Sequence, residues 1–232
     1  MLRTRTVVVG ACALGVLLLA AGGAYFLASS HHAPPVFALG SPAAEPSGSL
    51  SGKWKLASGS EVGYRVREKF INQTSTTEAV ARTSMVTGGM QVHVSASDYV
   101  ASSIDFAADL TALISQDKYA TFQAYQRDFF VRGIYLQTDV WPTAEFKADS
   151  IGVPIKQSPG PAAMDLPGKF KVHGVTKDVT THLSVQLNGA DIELVGSISL
   201  DMRDYNIDVP DISFTKAEPT VLIEYHLILS RS

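Results

Sequence analysis

Cysteine is almost absent from this sequence of 232 residues: its one thiol is Cys12, in an apolar segment near the N-terminus. The rest of the chain therefore offers no thiol nucleophile, no thiolate metal ligand and no disulfide. Runs of like charge are also missing, since 19 Lys and Arg are interspersed with 22 Asp and Glu and the net charge is −3. Nucleic-acid binding requires a basic face, so we exclude nucleic acid as a partner.

The motifs of common catalytic and metal sites are missing as well. Neither the Gly-x-Ser-x-Gly nucleophile turn nor the His-Glu-x-x-His metal motif occurs. His93, His173, His182 and His226 show no ligand spacing, and we interpret them as surface or turn histidines. We expect no metal, no cofactor and no catalytic residue; an enzyme acting on a lipid-like substrate is an alternative that the sequence leaves open.

An uncharged apolar run covers residues 7–28 and follows Arg3 and Arg5. As a helix, this run spans about 33 Å, enough for the ~30 Å hydrocarbon core of a membrane. Because the basic residues precede the run, the positive-inside rule leaves the remaining chain on the extracytoplasmic side. We predict a single-pass anchor within residues 1–28. The alternative is a signal segment, cleaved near the small residues 28–30, which would release a secreted or periplasmic protein.

The segment that follows, residues 29–52, is rich in Pro, Ala, Ser and Gly and contains one charged side chain, Glu45. Such a composition buries too little apolar area to order itself. We therefore predict a flexible linker here and a single folded domain over residues 53–232.

Beyond Trp54, apolar and polar residues alternate with a period of two, which is typical of half-buried strands. The clearest such face consists of Val179, Thr181, Leu183, Val185 and Leu187. Asn188-Gly189 follows it, a dipeptide favoured in hairpins whose two turn residues both have positive φ. Many strands with one apolar face, joined by short turns, predict an all-β antiparallel sheet that is either closed into a barrel or folded as a sandwich. About eight strands would close a barrel around an interior wide enough for side chains or one ligand.

One segment departs from the period of two. Between Ser115 and Phe130, the side chains Tyr119, Phe122 and Phe129 recur at helical spacing, and Ser115 stands where an N-cap is expected. We predict one amphipathic helix over this segment, lying over or capping the barrel.

Several motifs follow one another in an order that resembles the YceI lipid-binding family, over residues ~53–232. They are Trp54-Lys55-Leu56, Gly59 to Val66, a glycine turn at Thr87-Gly88-Gly89, the strand Ser102 to Leu110, Phe129-Phe130, Trp141-Pro142 with Phe146, and Gly168 to Lys177. One motif departs from the family: its helix start, Arg-Asp-x-His-Leu, is replaced here by Ser115-Gln116-Asp117-Lys118-Tyr119. If that helix gates the cavity in relatives, ligand choice here differs.

This resemblance implies an exported, non-catalytic, lipocalin-like antiparallel β-barrel of about eight strands that binds a long-chain isoprenoid or a similar amphiphilic lipid in an elongated interior. Affinity would come from removing methylenes from water, about 0.8 kcal/mol each. The ligand-binding side chains would be Tyr64, Ile104, Phe106, Phe122, Phe129, Phe146, Phe170, Leu183, Val185, Ile192, Leu194, Ile198, Leu200, Ile223 and Tyr225.

Residue types alone leave open whether that interior is hollow. The small inward residues Ala108, Ala144, Ala148 and Gly196 leave room for a tunnel, but they would equally accommodate large neighbours. The alternative function is therefore a packed barrel that acts as a cell-envelope interaction or assembly module without a ligand. The sequence also leaves both a monomer and a homodimer open.

Overall fold

The computed structural model describes the chain from His31 onward with six short gaps. The described residues are 31–42, 49–71, 74–95, 98–119, 124–153, 161–212 and 215–232. The predicted anchor, residues 1–28, lies outside them. Within the described part, no helix is both long and apolar enough to cross a membrane.

Fourteen strand segments and four short helical segments make up the described chain. The strands are β1 (His31–His32), β2 (Gly52–Leu56), β3 (Glu61–Phe70), β4 (Thr77–Thr83), β5 (Val86–Ser95), β6 (Asp98–Asp109), β7 (Ile114–Ser115), β8 (Lys118–Tyr119), β9 (Thr143–Val153), β10 (Ala162–Val172), β11 (Val175–Asn188), β12 (Asp191–Asp201), β13 (Asp211–Ile212) and β14 (Thr215–Arg231). The helical segments are a 3-10 turn at Leu110–Ala112, the α-helix α1 (Ala124–Phe130), a π-helix at Val131–Tyr135 and a 3-10 helix at Met202–Tyr205.

The long strands form a closed, up-and-down barrel. β2 with β3, and β4 with β5, each act as one bent strand, because β2 pairs with β5 while β3 pairs with β4. From β5 to β12, each long strand pairs with the next one along the chain. β14 pairs with β12 on one edge and with β3 and then β2 on the other, which closes the ring. The predicted all-β antiparallel barrel of eight strands is confirmed.

The predicted period of two is seen in the burial of the strands, but the hairpin turn differs by one residue. In β11, Thr181, Leu183 and Val185 are buried. The turn residues after β11 are Gly189 and Ala190, because Asn188 still pairs with Asp191. Only Gly189 has positive φ, at 62°, which is the pattern of a type II′ turn with glycine first. The expectation that Asn188 would share the positive φ is wrong.

The predicted glycine turn at Thr87–Gly89 is also wrong, since these residues lie inside β5. A Cβ on Gly88 would stand 2.0 Å from the carbonyl oxygen of Asp105 in β6, and Gly88 has a φ of 123°. The glycine therefore permits a close approach of two backbones next to the bend between β4 and β5.

The described helix is shorter than the helix predicted from the spacing of the aromatic residues. Ser115 and Tyr119 belong to β7 and β8, and the described helix α1 begins at Ala124. Ser115 does not cap it: Ser115 pairs with Ala81 of β4, and its N–H donates instead to Asp128 (3.0 Å). Phe122 lies outside the described residues. Among the described residues of the predicted helix, 124–130 are therefore helical and 115–119 are not. We call α1 together with the π-helix the helical cap, residues 124–135.

The two ends of the barrel differ. At the end that carries the β5–β6 and β11–β12 hairpins, which we call the packed end, Trp54, Ile192 and Leu229 are fully buried. The Trp54 indole N–H donates to the carbonyl of Leu50 (2.8 Å), so this end is filled and its polar group is satisfied. The opposite end, which we call the cap end, carries the helical cap and both 3-10 segments.

The segment N-terminal to the barrel, which belongs to the predicted linker of residues 29–52, lies along the outer wall of the barrel where it is described. β1 pairs with β8 at the cap end. The chain then passes over β3 and β4, where Arg65 and Arg82 donate to the carbonyl oxygens of Pro34 (2.9 Å) and Pro35 (2.8 Å). Further on, Gln186 of β11 donates to the carbonyl of Gly40 (3.1 Å). We call residues 31–42 the strap.

Beneath the strap lies a buried ion-pair network on the outward face of the sheet. The carboxylate of Glu224 accepts from Arg65 (3.0 Å) and from Arg82 (2.7 Å), and Arg65 also pairs with Glu78 (2.7 Å). The ring of Phe37 lies 3.8 Å from the Arg82 guanidinium. Burial alone would lower the pKa of Arg65, but the hydrogen bonds and charges of Glu224 and Glu78 together more than offset this and raise the pKa above its usual value. Glu224 thus joins the strap to three strands.

We predict that Glu224→Gln lowers the free energy of unfolding by about 3 kcal/mol or more, because it leaves two guanidinium groups under the strap without their shared carboxylate. Urea denaturation measures the change, and amide hydrogen exchange of residues 36–42 should accelerate. Asp178→Asn is the control, since it alters an exposed ion pair with Lys169, and it should leave the urea midpoint unchanged. Equal midpoints for Glu224→Gln and the wild type would contradict the role given to the network.

Candidate functional site

A cavity of about 1100 Å³ occupies the barrel from its middle to the cap end. Its walls are aliphatic and aromatic side chains of the inward faces of the strands, and the helical cap covers it. The volume slightly exceeds the ~300–1,000 Å³ of common small-ligand pockets. The interior is therefore hollow in this half, and the packed interior on which the assembly-module alternative depends is found only at the packed end.

The cavity exists because small residues face each other in adjacent strands. Ala108 of β6 and Ala144 of β9 are register partners, and both line the cavity. Partners in an antiparallel pair point to the same side of the sheet. If these two positions carried large side chains, the side chains would fill the barrel at this level. The two alanine methyl groups leave the space open.

The cavity extends along the strands of the barrel. Leu194 and Leu200 of β12 both line it and lie six residues apart, which corresponds to about 20 Å along a strand. This length exceeds half of the ~30 Å hydrocarbon core of a bilayer. The space therefore matches an extended aliphatic chain better than a compact molecule.

Most of the residues that the sequence assigned to the ligand site line this cavity. They are Tyr64, Phe106, Phe129, Phe146, Phe170, Leu183, Leu194, Ile198, Leu200, Ile223 and Tyr225. Three others, Ile104, Val185 and Ile192, line a void of about 40 Å³ at the packed end. Phe122 lies outside the described residues. Contact of any of these residues with a ligand stays a prediction.

Tyr225 places a polar group on the wall of the cavity. Its hydroxyl shares a hydrogen bond of 2.6 Å with Thr181, and burial raises the pKa of Tyr225 to about 12. Gly196, its register partner, makes room for the ring: a Cβ there would stand 2.3 Å from the tyrosine hydroxyl. The space expected at Gly196 is therefore taken by Tyr225, and this tyrosine is neutral at physiological pH.

A second polar group joins the cavity to the cap. Arg127 of α1 binds both carboxylate oxygens of Asp117, with Nη1 2.8 Å from Oδ2, and its Nε–H donates to Ser115 (3.1 Å). Asp117 accepts from the backbone N–H of Val80 in β4 (3.1 Å), and Glu68 lies 3.7 Å from the guanidinium. We call Asp117, Arg127 and Glu68 the cap cluster. It fixes the helical cap to the barrel.

Burial and charge act in opposite directions on the cap cluster. Burial alone would raise the pKa of Asp117, but the hydrogen bonds and the charge of Arg127 hold that pKa below its usual value. The pKa of Arg127 is raised, because the same interactions outweigh its desolvation. Burial raises the pKa of Tyr64, which also lines the cavity. Asp117 and Arg127 are therefore both ionised near neutral pH.

Sequence reasoning missed the cap cluster, although one signal pointed to it. Tyr64 and Val66 are inward residues of β3, and the period of two continues to Glu68, which puts a carboxylate on the inward face. An inward acid requires a buried cation as its partner. Nothing in the local sequence identifies Arg127 as that cation, because it lies in the polar stretch Gln126-Arg127-Asp128 with no feature that distinguishes it.

Comparison with known families identifies the fold and its lineage. The model of the YceI-like domain matches residues 54–229, which is most of the chain. The protein belongs to the YceI-like family. No curated protein matches this YceI-like chain at a significant level.

Two solved structures resemble this YceI-like domain. BcnA of Burkholderia cenocepacia superposes with a TM-score of 0.52 at 17% identity, covering 73% of this chain and 95% of BcnA. A polyisoprenoid binding domain from Saccharophagus degradans, implicated in plant cell wall breakdown, gives a TM-score of 0.53 at 16% identity, covering 77% of this chain and 98% of that domain. At this identity, the likeness shows the shared fold alone.

We predict that Asp117→Asn destabilises the protein by about 3–5 kcal/mol at neutral pH, because it leaves Arg127 without its main counter-charge. The pKa of Asp117 is lower in the folded state, so its contribution is fully present above the unfolded value near 3.8 and is lost as pH falls below it. Urea denaturation of the wild type and the variant at pH 7 and pH 3 measures the loss of stability and its dependence on pH. If the difference in free energy of unfolding between wild type and variant is as large at pH 3 as at pH 7, the role given to the ionised Asp117 is wrong.

Proposed function

We propose that this YceI-like protein binds one long-chain isoprenoid or similar amphiphilic lipid in the barrel and does so without catalysis. The elongated apolar cavity of about 1100 Å³ carries this proposal. Its walls offer few hydrogen bonds, so they would recognise a ligand chiefly through removal of methylenes from water. The polyisoprenoid binding domain of Saccharophagus degradans, which has the same fold, supports the same ligand class.

Binding rather than turnover is supported by the composition of the lining. Among the described residues that line the cavity there is no serine, cysteine or histidine, the side chains from which most nucleophile–base pairs are built. The carboxylates of the lining are Glu68 and Glu145, and each lies within reach of a cation, Arg127 and Lys171 respectively. Neither is placed as a free general base.

The charge of the lining favours a ligand whose head group is uncharged. Arg127 is the one basic residue among the described lining residues, and Asp117 already neutralises it. An anionic head group inside the cavity would meet the carboxylate of Glu68, and the described lining offers no second cation to receive it. Desolvating an unpaired anion costs several kcal/mol. A hydroxyl, carbonyl or amide head group would avoid this cost, and Thr181, Tyr225 and Gln126 would be its hydrogen-bond partners.

The site of action that we propose is the extracytoplasmic side of a membrane. The apolar run at residues 7–28 and the basic residues before it support a membrane anchor in this orientation. N-terminal sequencing of the mature protein tests this: a start after Ser29 would mean that the segment is cleaved.

We predict that Ala108→Phe lowers lipid affinity about tenfold or more, because the ring occupies the space beside Ala144, and overpacking costs about 1–3 kcal/mol. Native mass spectrometry of the full chain purified from membranes measures the bound lipid. Ala163→Phe, on the exposed face of β10, is the matched control and should retain it. Ala144→Phe fills the same space from the opposite strand if Ala108→Phe folds poorly. A cavity variant that folds and still retains as much bound lipid as the wild type would contradict the proposal.

The head-group argument gives a separate prediction. A prenol should bind the full chain at least tenfold more tightly than the prenyl monophosphate of the same chain length, because only the phosphate must be desolvated beside carboxylates. Competition against a fluorescent prenyl probe measures both affinities. Asp117→Asn should narrow the ratio, since it removes one of the two carboxylates beside Arg127. Equal affinities of the wild type for the two lipids would show that the head group stays in water.

A further inference from the structure

The mouth of the cavity is surrounded by exposed apolar side chains. In the helical cap, Phe129 is 67% exposed, Phe130 47% and Ile134 55%, and all three also line the cavity. Ile212 of β13 is 43% exposed and lines the same cavity from another wall, and Ile71, next to the lining residue Phe70, is 74% exposed. We call these five residues the rim. Apolar side chains gathered at one opening, rather than scattered, are typical of an interaction surface.

The strap determines which end of the barrel the N-terminal chain reaches. Its first residues, His31 and His32, pair with β8, and β8 leads through residues 120–123 into the helical cap. The strap then runs away from the cap, past Arg65, to Gln186 near the packed end. Residues 1–30 therefore join the folded domain at the cap end, beside the rim.

Chain length limits how far the rim can be from the apolar run. The run ends at Ala28, three residues before His31. Because an extended chain covers at most ~3.6 Å per residue, β1 lies within about 11 Å of the last residue of the run. An anchor formed by this run thus holds the cap end, and not the packed end, at the membrane surface.

We infer that the rim is a docking surface for a lipid bilayer and that the barrel rests on the membrane with its mouth facing the lipid. The inference rests on the proposed function for the nature of the ligand. A lipid that left the bilayer through water would lose about 0.8 kcal/mol for every exposed methylene. Contact between rim and bilayer removes that barrier. The exposed ring of Trp141, at the same end of the barrel, suits the interface where tryptophan is enriched.

The inference is tested with tryptophan reporters in the full chain, reconstituted into vesicles of phosphatidylcholine and phosphatidylglycerol whose phosphatidylcholine carries brominated acyl chains. The background is Trp141→Phe, which leaves Trp54 at the packed end. F130W places a reporter in the rim, and V94W places a matched one at the packed end, where Val94 is 55% exposed. Docking predicts that bromine quenches the F130W emission at least threefold more than the V94W emission, after subtraction of the background.

Equal quenching of the two reporters would overturn the inference, because the barrel would then lie on its side or stand off the membrane. An F130W emission that is unquenched and depends on protein concentration would also overturn it, and would assign the rim to a second copy of the chain. Mass spectrometry on the same vesicles separates this test from the proposed function. Bound lipid without quenching refutes docking alone, whereas quenching without bound lipid refutes the lipid-binding proposal alone.

Discussion

The hydrogen bonding of β14 along both of its edges is the constraint on which the rest of this structure depends. β14 joins β12 to the bent strand β2–β3, and without that pairing the sheet would have two open edges and no interior. Closure of eight strands sets a diameter at which large inward side chains just fill the space. Whether a cavity forms is then decided by residue size. At the level of Ala108 and Ala144 the strands contribute methyl groups, and the space they leave is continuous with the mouth.

Two buried ion-pair networks hold the parts of the chain that do not belong to the barrel. Outside, Glu224 and its two arginines lie under the strap; at the mouth, Asp117 and Arg127 lie under the helical cap. Such pairs contribute less to stability than their Coulomb energy suggests, because both charges must be desolvated. Their directional hydrogen bonds nevertheless specify one arrangement. The networks therefore explain where the strap and the cap lie more than how stable the barrel is.

The sequence predicted what depends on local periodicity and missed what depends on distant contacts. Alternation identified the strands, their inward faces and most of the cavity lining, because a closed barrel preserves the period of two. The same rule puts Arg65 and Glu224 on the outward face of the sheet, where polar residues usually meet water, but they are only 6% and 2% exposed because the strap covers them. The helical spacing of the aromatic residues predicted a helix that begins at Ser115. The pairing of β7 with β4 competes with helix formation at that position. Neither the contact of the strap with the sheet nor the pairing of β7 with β4 can be read from the local sequence.

The way the cap is attached favours it as the route into the cavity. The barrel wall is held by continuous ladders of backbone hydrogen bonds, so opening it anywhere breaks many bonds at once. The cap is one short helix followed by a π-helix, a rare form often found at functional sites. It keeps three large apolar side chains partly in water and is fixed by a few polar contacts of Arg127, Asp128 and Arg132. Segments with few buried apolar contacts open at the lowest free energy. Under the lipid-binding proposal, a ligand would therefore enter by displacing the cap while the eight-stranded ring stays closed.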